Sequence, residues 1–181
     1  MRILVTVSLV LALAATAGAT IVVPADLGEL SRDAIAIVRG RVARVDTQFT
    51  EDRGTIETLV TLEVDSYLKG ALGQTVRFKV PGGELGRFRS IVVGAPEFAV
   101  DQRIVVFLGA HGPSVPYIVG FNQGVFRVVR AADNSGWLVT PPANLPAVGG
   151  TVRIVRGDPT RRPLPLAEFE QTVRTLAGGA R

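Results

Sequence analysis

Over most of its length the chain repeats apolar and polar positions with a period of two. Val60, Leu62 and Val64 alternate with Thr61, Glu63 and Asp65, so a strand there turns its apolar side to a core and its charges to water. Val76, Phe78 and Val80 alternate with Arg77 and Lys79 in the same way. Ala36, Val38, Gly40 and Val42 alternate with Ile37, Arg39 and Arg41, which places the arginines of a first strand on one face. Ile104 to Leu108 is apolar at every position, the pattern of a strand covered on both faces. Gly124 to Arg130, Trp137 to Thr140 and Val152 to Arg156 predict three further short strands.

Turn signals punctuate these segments: Glu51-Asp52-Arg53-Gly54, Lys69-Gly70, Pro81-Gly82-Gly83, Asp133-Asn134-Ser135-Gly136 and Gly157-Asp158-Pro159. Glycine supplies positive φ and proline presets a bend, so signals this closely spaced predict hairpins rather than crossover helices. The pattern changes to three- and four-residue steps in two places. One is a short helical turn over Asp26 to Arg32. The other is a C-terminal helix after Pro165, with Leu166, Phe169, Val173 and Leu176 as the stripe that faces the barrel. The expected fold is mainly β, an OB-like antiparallel barrel with a short N-terminal helical turn and a C-terminal helix.

The first residues set an expectation of export. Arg2 precedes an apolar run from Ile3 to Ala15, and Ala17-Gly18-Ala19 puts small residues where a signal peptidase reads them, so cleavage is expected between Ala19 and Thr20. The run is short for a membrane span, so no stable membrane insertion is expected after cleavage. Removing nineteen of the 181 residues leaves 162, read as a single β-barrel domain over 20–181. The chain has no cysteine, which excludes disulfide staples and thiolate chemistry and leaves stability to the core. Without Arg2 the count is nineteen basic against sixteen acidic side chains, a formal +3. That mild excess, with only Phe88 among arginines, does not predict a nucleic-acid partner.

Candidate chemistry is sparse. His111 is the only histidine and lies in a Gly/Pro-rich loop, with no cysteine and no second histidine to build a familiar zinc site. No G-x-S-x-G elbow surrounds any serine. The carboxylate pairs Glu51 with Asp52, Glu63 with Asp65, and Glu168 with Glu170 read as solvated surface, because splitting their pKa values needs a cleft. "PGGELG", Pro81 to Gly86, lacks the Lys and Ser or Thr of a phosphate loop and reads as a strand-ending turn, with Arg87 and Arg89 as an exposed basic tip that could meet a partner. Arg153, Arg156, Arg161 and Arg162 form a basic region read as a solvated face. No catalytic residue, cofactor or metal site is assigned, and the chain is read as not an enzyme.

The stretch from Thr20 to Val42, with Val23-Pro24 and the Ala-Ile-Val-Arg-Gly-Arg-Val strand, and the ending Tyr67-Leu68-Lys69-Gly70 resemble the N-terminal OB-fold module of netrin-type domains and tissue inhibitors of metalloproteinases. The chain also resembles a group of small exported bacterial proteins of unsettled function, through Lys69-Gly70, Pro81-Gly82-Gly83, Gly94-Ala95-Pro96 with Phe98, and Phe107-Leu108. The inhibitor likeness implies a mature N-terminus that chelates a protease zinc through its α-amine and carbonyl. Here Thr20 stands where that family has cysteine, and Val22 where it has another.

The reading that follows is an exported non-catalytic binding or interaction module of unknown ligand, secreted or periplasmic, with an exported protein as its expected partner. The alternative is a protease inhibitor-like protein acting on an exported metalloprotease. Exported protein is expected to begin at Thr20 by intact mass or N-terminal sequencing; finding Met1 to Ala19 still attached contradicts the export reading.

Overall fold

The computed structural model describes residues 25–52, 54–112, 114–142 and 162–179. The expected strand Val152 to Arg156, the turn at Gly157-Asp158-Pro159 and the residues Thr20 to Pro24 lie outside them, as do Ala19, Arg153, Arg156 and Arg161. Helix α1 (Leu27–Asp33) leads into two long strands, β1 (Ala36–Phe49) and β2 (Ile56–Lys69), followed by β3 (Thr75–Pro81). A small hairpin, β4 (Gly83–Leu85) and β5 (Phe88–Ser90), precedes β6 (Arg103–Gly109) and β7 (Tyr117–Ile118). A 3-10 turn (Phe121–Gly124) opens β8 (Val125–Arg130); β9 (Trp137–Thr140), β10 (Leu164–Pro165) and helix α2 (Leu166–Gly178) complete the described chain.

The strands close on themselves. β1 pairs with β2, β2 with β3, β3 with β7, β7 with β6, and β6 returns to β1, giving a ring of five strands. Every pair in the ring is antiparallel except β3 with β7. The expected mainly β, barrel-like fold with a helix at each end of the described chain is therefore found. Bending two 14-residue strands into such a ring requires extra residues on one of them, and β1 carries three register shifts against β2, at Ile37/Val38, Arg39/Gly40 and Val42/Arg44. β8, β9 and β10 extend the sheet outward from β6.

Two apolar clusters follow from strand parity. Val38, Val42, Val60, Leu62, Phe78 and Ile104 belong to the one that fills the ring. Ile37, Val105, Phe107, Phe126, Phe169 and Val173 belong to the second, outside the ring, which the two helices cover. β6 contributes alternate residues to both, as its unbroken apolar sequence predicts. In the outer cluster Phe126 touches both Phe107 and Phe169, with ring centroids 5.6 Å and 4.9 Å away, so α2 is seated on the barrel through aromatic contact. The stripe of α2 buries Phe169 and Val173, whereas Leu176 stays 37% exposed at the helix end.

Local chemistry fixes α1 against this frame. Asp26 accepts a hydrogen bond from the Glu29 amide at 2.7 Å while the Glu29 side chain accepts one from the Asp26 amide at 3.0 Å, a reciprocal capping box. At the other end Lys69, on the last residue of β2, donates to the carbonyls of Ser31 at 2.7 Å and Arg32 at 3.0 Å, satisfying groups that a short helix leaves bare. Gly70 follows at φ +65°, and a Cβ there would lie 2.4 Å from the Ile35 carbonyl oxygen, so the Lys-Gly step both caps the helix and lets β2 end against β1.

Gly40 marks the tightest approach of β1 to β2: a Cβ there would sit 2.1 Å from the Glu63 carbonyl oxygen. Gly40→Ala is expected to cost about 3 kcal/mol in urea unfolding, because the clash is with backbone. Gly136→Ala, where a Cβ meets no atom within 4 Å, is expected to change stability by less than about 0.5 kcal/mol. Equal effects from the two would contradict the strand register.

Candidate functional site

Residues 91–102 cross one side of the barrel without regular structure, yet they are held along their length. The Ala95 amide donates to the Val92 carbonyl, the Asn122 amide to Gly94, and the Asp101 amide to Val42. Phe98 turns inward, edge-on to Phe78 at 5.5 Å. This fixes Pro96, itself buried, at the base of three adjoining concavities whose walls it shares. The first, of about 280 Å³, lies between the start of β2, the end of β3 and β7, with Ile56, Lys79, Pro81, Tyr117 and Phe121 in its walls. The second, of about 310 Å³, runs under the β4–β5 hairpin between Thr47, Thr58, Ile91 and Phe98. The third, of about 500 Å³, is bounded by Glu97, Asn122, Arg127 and Thr140. The three meet at Pro96 and are taken together as one cleft divided by it.

The hairpin on its rim is a correction to the sequence reading. The chain does end β3 at Pro81, but Gly83–Leu85 is then a strand that pairs with Phe88–Ser90, so "PGGELG" is half a hairpin and not only a turn. Thr58 donates to the Gly82 carbonyl at 2.7 Å and anchors its base. Arg87 lies in the exposed turn with its guanidinium 5.0 Å above the Phe88 ring, and Phe88 in turn meets Phe49 at 5.9 Å. Arg89 is paired with Glu84 at 3.0 Å. The expected basic tip is therefore one arginine on an aromatic pair beside one arginine paired with Glu84, and Phe88 adds an exposed apolar ring to it.

The other chemical candidates are dispersed. His111 stacks on Tyr117, centroids 4.7 Å apart and planes 19° from parallel. The Ser114 hydroxyl donates to the His111 carbonyl rather than to its ring, and the Ser31 hydroxyl to the Leu27 carbonyl. Asp52 sits in the β1–β2 turn, where the Thr50 hydroxyl and the Gly54 amide hold its carboxyl below the usual range. Asp133 is lowered in the same way by the Ser135 hydroxyl and amide. Glu63 pairs with Arg41, and Asp65 with Arg103 at 3.0 Å, both at the surface. Among the described residues no three His, Asp or Glu side chains converge on a possible metal position.

Glu170 departs from the solvated reading given to the pair Glu168 and Glu170. Glu168 is exposed, but the Glu170 side chain is only 13% exposed, held by Arg39 at 3.0 Å and Arg174 at 3.5 Å. The Arg39 contact is a close approach of charges without hydrogen-bond alignment, since Glu170 Oε1 and Arg39 Nε are both buried without a hydrogen-bond partner. No local signal reveals this pair, because 130 residues of chain separate its members.

Beside it lies a feature that the sequence reading missed. Arg103 and Arg130 approach the Trp137 ring at 5.4 Å and 4.7 Å, next to a pocket of about 200 Å³ whose walls include Arg39, Asp65 and Leu166. Half of it is legible in retrospect: the turn at Asp133 to Gly136 sets Arg130 directly opposite Trp137 in the β8–β9 hairpin. Arg103 arrives from β6 and has no such signal.

No family model matches the chain, and no curated protein or solved structure matches it either.

Glu170→Gln is expected to cost about 2 kcal/mol in chemical unfolding, below the range for a fully buried pair because Arg39 retains some solvent. Glu168→Gln is expected to be silent. Adding Arg39→Met to Glu170→Gln should cost less than the sum of the single changes; strict additivity would show that the two charges do not interact.

Proposed function

We propose that the chain is an exported, non-catalytic binding module that engages another exported protein through the cleft divided by Pro96 and the apolar rim around it. The observation that carries this reading is the rim. Ile91 and Val93 are 74% and 82% exposed on a loop held by the backbone bonds of residues 91–102, Phe88 is exposed on the hairpin that Thr58 anchors, and Phe49 at the end of β1 and Phe121 in the 3-10 turn are exposed as well. Apolar side chains fixed outward beside a groove gain nothing for the core, and clusters of this kind mark protein-contact surfaces.

The position of the cleft supports the same reading. It opens at the start of β2 and the end of β3, beside the strand face on which OB-like barrels take up chain-like ligands such as oligonucleotides and oligosaccharides. The polar side chains in its walls, Glu57 and Lys79, suit orientation of a bound segment. His111 is stacked on Tyr117, Ser31 and Ser114 donate to backbone carbonyls, and Ser135 donates to Asp133 in an exposed turn, so none of these serines is paired with the histidine as a nucleophile is with its base. Export rests on the Arg2, Ile3 to Ala15 and Ala17-Gly18-Ala19 pattern.

The test is crosslinking of C-terminally tagged protein, exported by its own leader, followed by mass spectrometry of what is recovered. Phe88→Ser with Ile91→Ser is expected to reduce recovery of a specific exported protein at least tenfold, about 1.4 kcal/mol of binding, without altering the thermal unfolding curve. Arg87→Ala with Arg89→Ala is expected to do less. Recovery unchanged by the apolar pair of substitutions would contradict the assignment of the cleft.

A further inference from the structure

The pocket beside Trp137 lies at the junction of β1, β2, β6, β8, β9 and the first residue of α2, and none of its lining residues lines the Pro96 cleft. We propose that it binds a hexuronate, a six-membered sugar ring bearing a carboxylate.

Four features of the pocket carry this. Its volume of about 200 Å³ accommodates a single sugar ring. Arg39 meets Glu170 and Arg103 meets Asp65 through one terminal nitrogen each, and the only side-chain hydrogen bond of either guanidinium among the described residues is that of Arg103 to Asp65. Guanidinium groups held at one end by a carboxylate are preorganised to offer their remaining donors to another. The charged side chains of the lining favour an anion, because Arg39 and Arg103 stand against Asp65, with Arg130 on the adjoining Trp137 ring and Glu170 paired to Arg39.

Val128, Leu166 and Trp137 supply apolar wall. The cation–π contacts account for Arg103 and Arg130 lying on Trp137 as a clamp on the β8–β9 hairpin, but they do not account for an open, charge-lined hollow next to it, which a purely structural contact would fill.

Asp65 decides between ligand classes. An inorganic phosphate or sulfate offers only acceptors, and Asp65 in the wall repels it. A hexuronate presents a carboxylate that accepts from Arg39 and Arg103, hydroxyl groups that donate to Asp65, and a C–H face that lies against Val128 and Leu166 beside the Trp137 edge. A neutral hexose makes the last two contacts and forgoes the first. The ligand can arrive as a free sugar acid or as a residue of an acidic polysaccharide, since both carry the same ring.

Trp137 is the only tryptophan in the chain, so its fluorescence reports this pocket alone. Full-length processed protein is titrated with glucuronate, galacturonate, glucose and inorganic phosphate, with calorimetry in parallel. A saturable change with at least one hexuronate is expected, at least tenfold tighter than with glucose or phosphate. Arg103→Gln is expected to weaken the hexuronate at least tenfold, and Asp65→Asn to weaken the hexuronate while strengthening phosphate. Should Arg103→Gln fail to fold, Leu166→Trp, read by calorimetry, tests occupancy by filling the hollow from the helix end. No saturable response to either hexuronate, or glucose or phosphate binding as tightly, overturns the proposal. A tri-uronate binding more tightly than the single sugar identifies a polysaccharide source; equal affinity identifies the free acid.

Discussion

β6 has no polar side to offer water, and the architecture follows from covering it twice. Ile104, Val106 and Leu108 point into the ring while Val105 and Phe107 point out of it, and all five are fully buried. A ring of strands alone would cover the first set. The second demands an outer layer, which α1, α2 and the β8–β9 hairpin provide through Leu30, Phe169, Val173, Phe126 and Val139. Burial of side chains this size stabilises by roughly 1.5–3 kcal/mol each. The chain can therefore hold a barrel without disulfides, because one strand organises two cores.

The sequence landmarks on which the family resemblance rests turn out to serve this frame. Tyr67 donates its hydroxyl to the Gly73 carbonyl, Lys69 caps α1, and Gly70 lets the strand end against Ile35. Gly82 and Gly83 turn the chain into the hairpin, and Phe98 plugs the ring beside Phe78. Residues with such duties describe a way of closing a barrel. A way of closing a barrel does not by itself name a function.

Period-two alternation revealed β1, β2, β3 and the doubly covered β6 because each buries at least one face continuously. It understated β1 and β2, which run to 14 residues each. Arg44 to Gln48 lacks an apolar face, and that arm is held by pairing with Glu57 to Thr61 instead. The two-residue β7 and β10 and the three-residue β4 and β5 are too short for any period to register. The site was less legible than the fold. Arg87 and Arg89 were visible as exposed arginines, but Phe49 under Phe88 and Glu84 beside Arg89 change what that surface offers. The cleft, the Glu170 clasp and the Trp137 pocket depend on contacts between segments far apart in the chain, for which local sequence holds no record.

If β6 organises both cores, its amides should open only when the whole domain does. Native-state hydrogen exchange, resolved by residue, tests this most directly. The amides of Val105 to Leu108 and their partners in β1 are expected to exchange last, at the free energy of global unfolding, with buried positions of α2 close behind and the β4–β5 hairpin far ahead. Exchange of β6 at the rate of the hairpin, or protection of α2 lost in a separate, much cheaper opening, would contradict a fold built around one doubly covered strand.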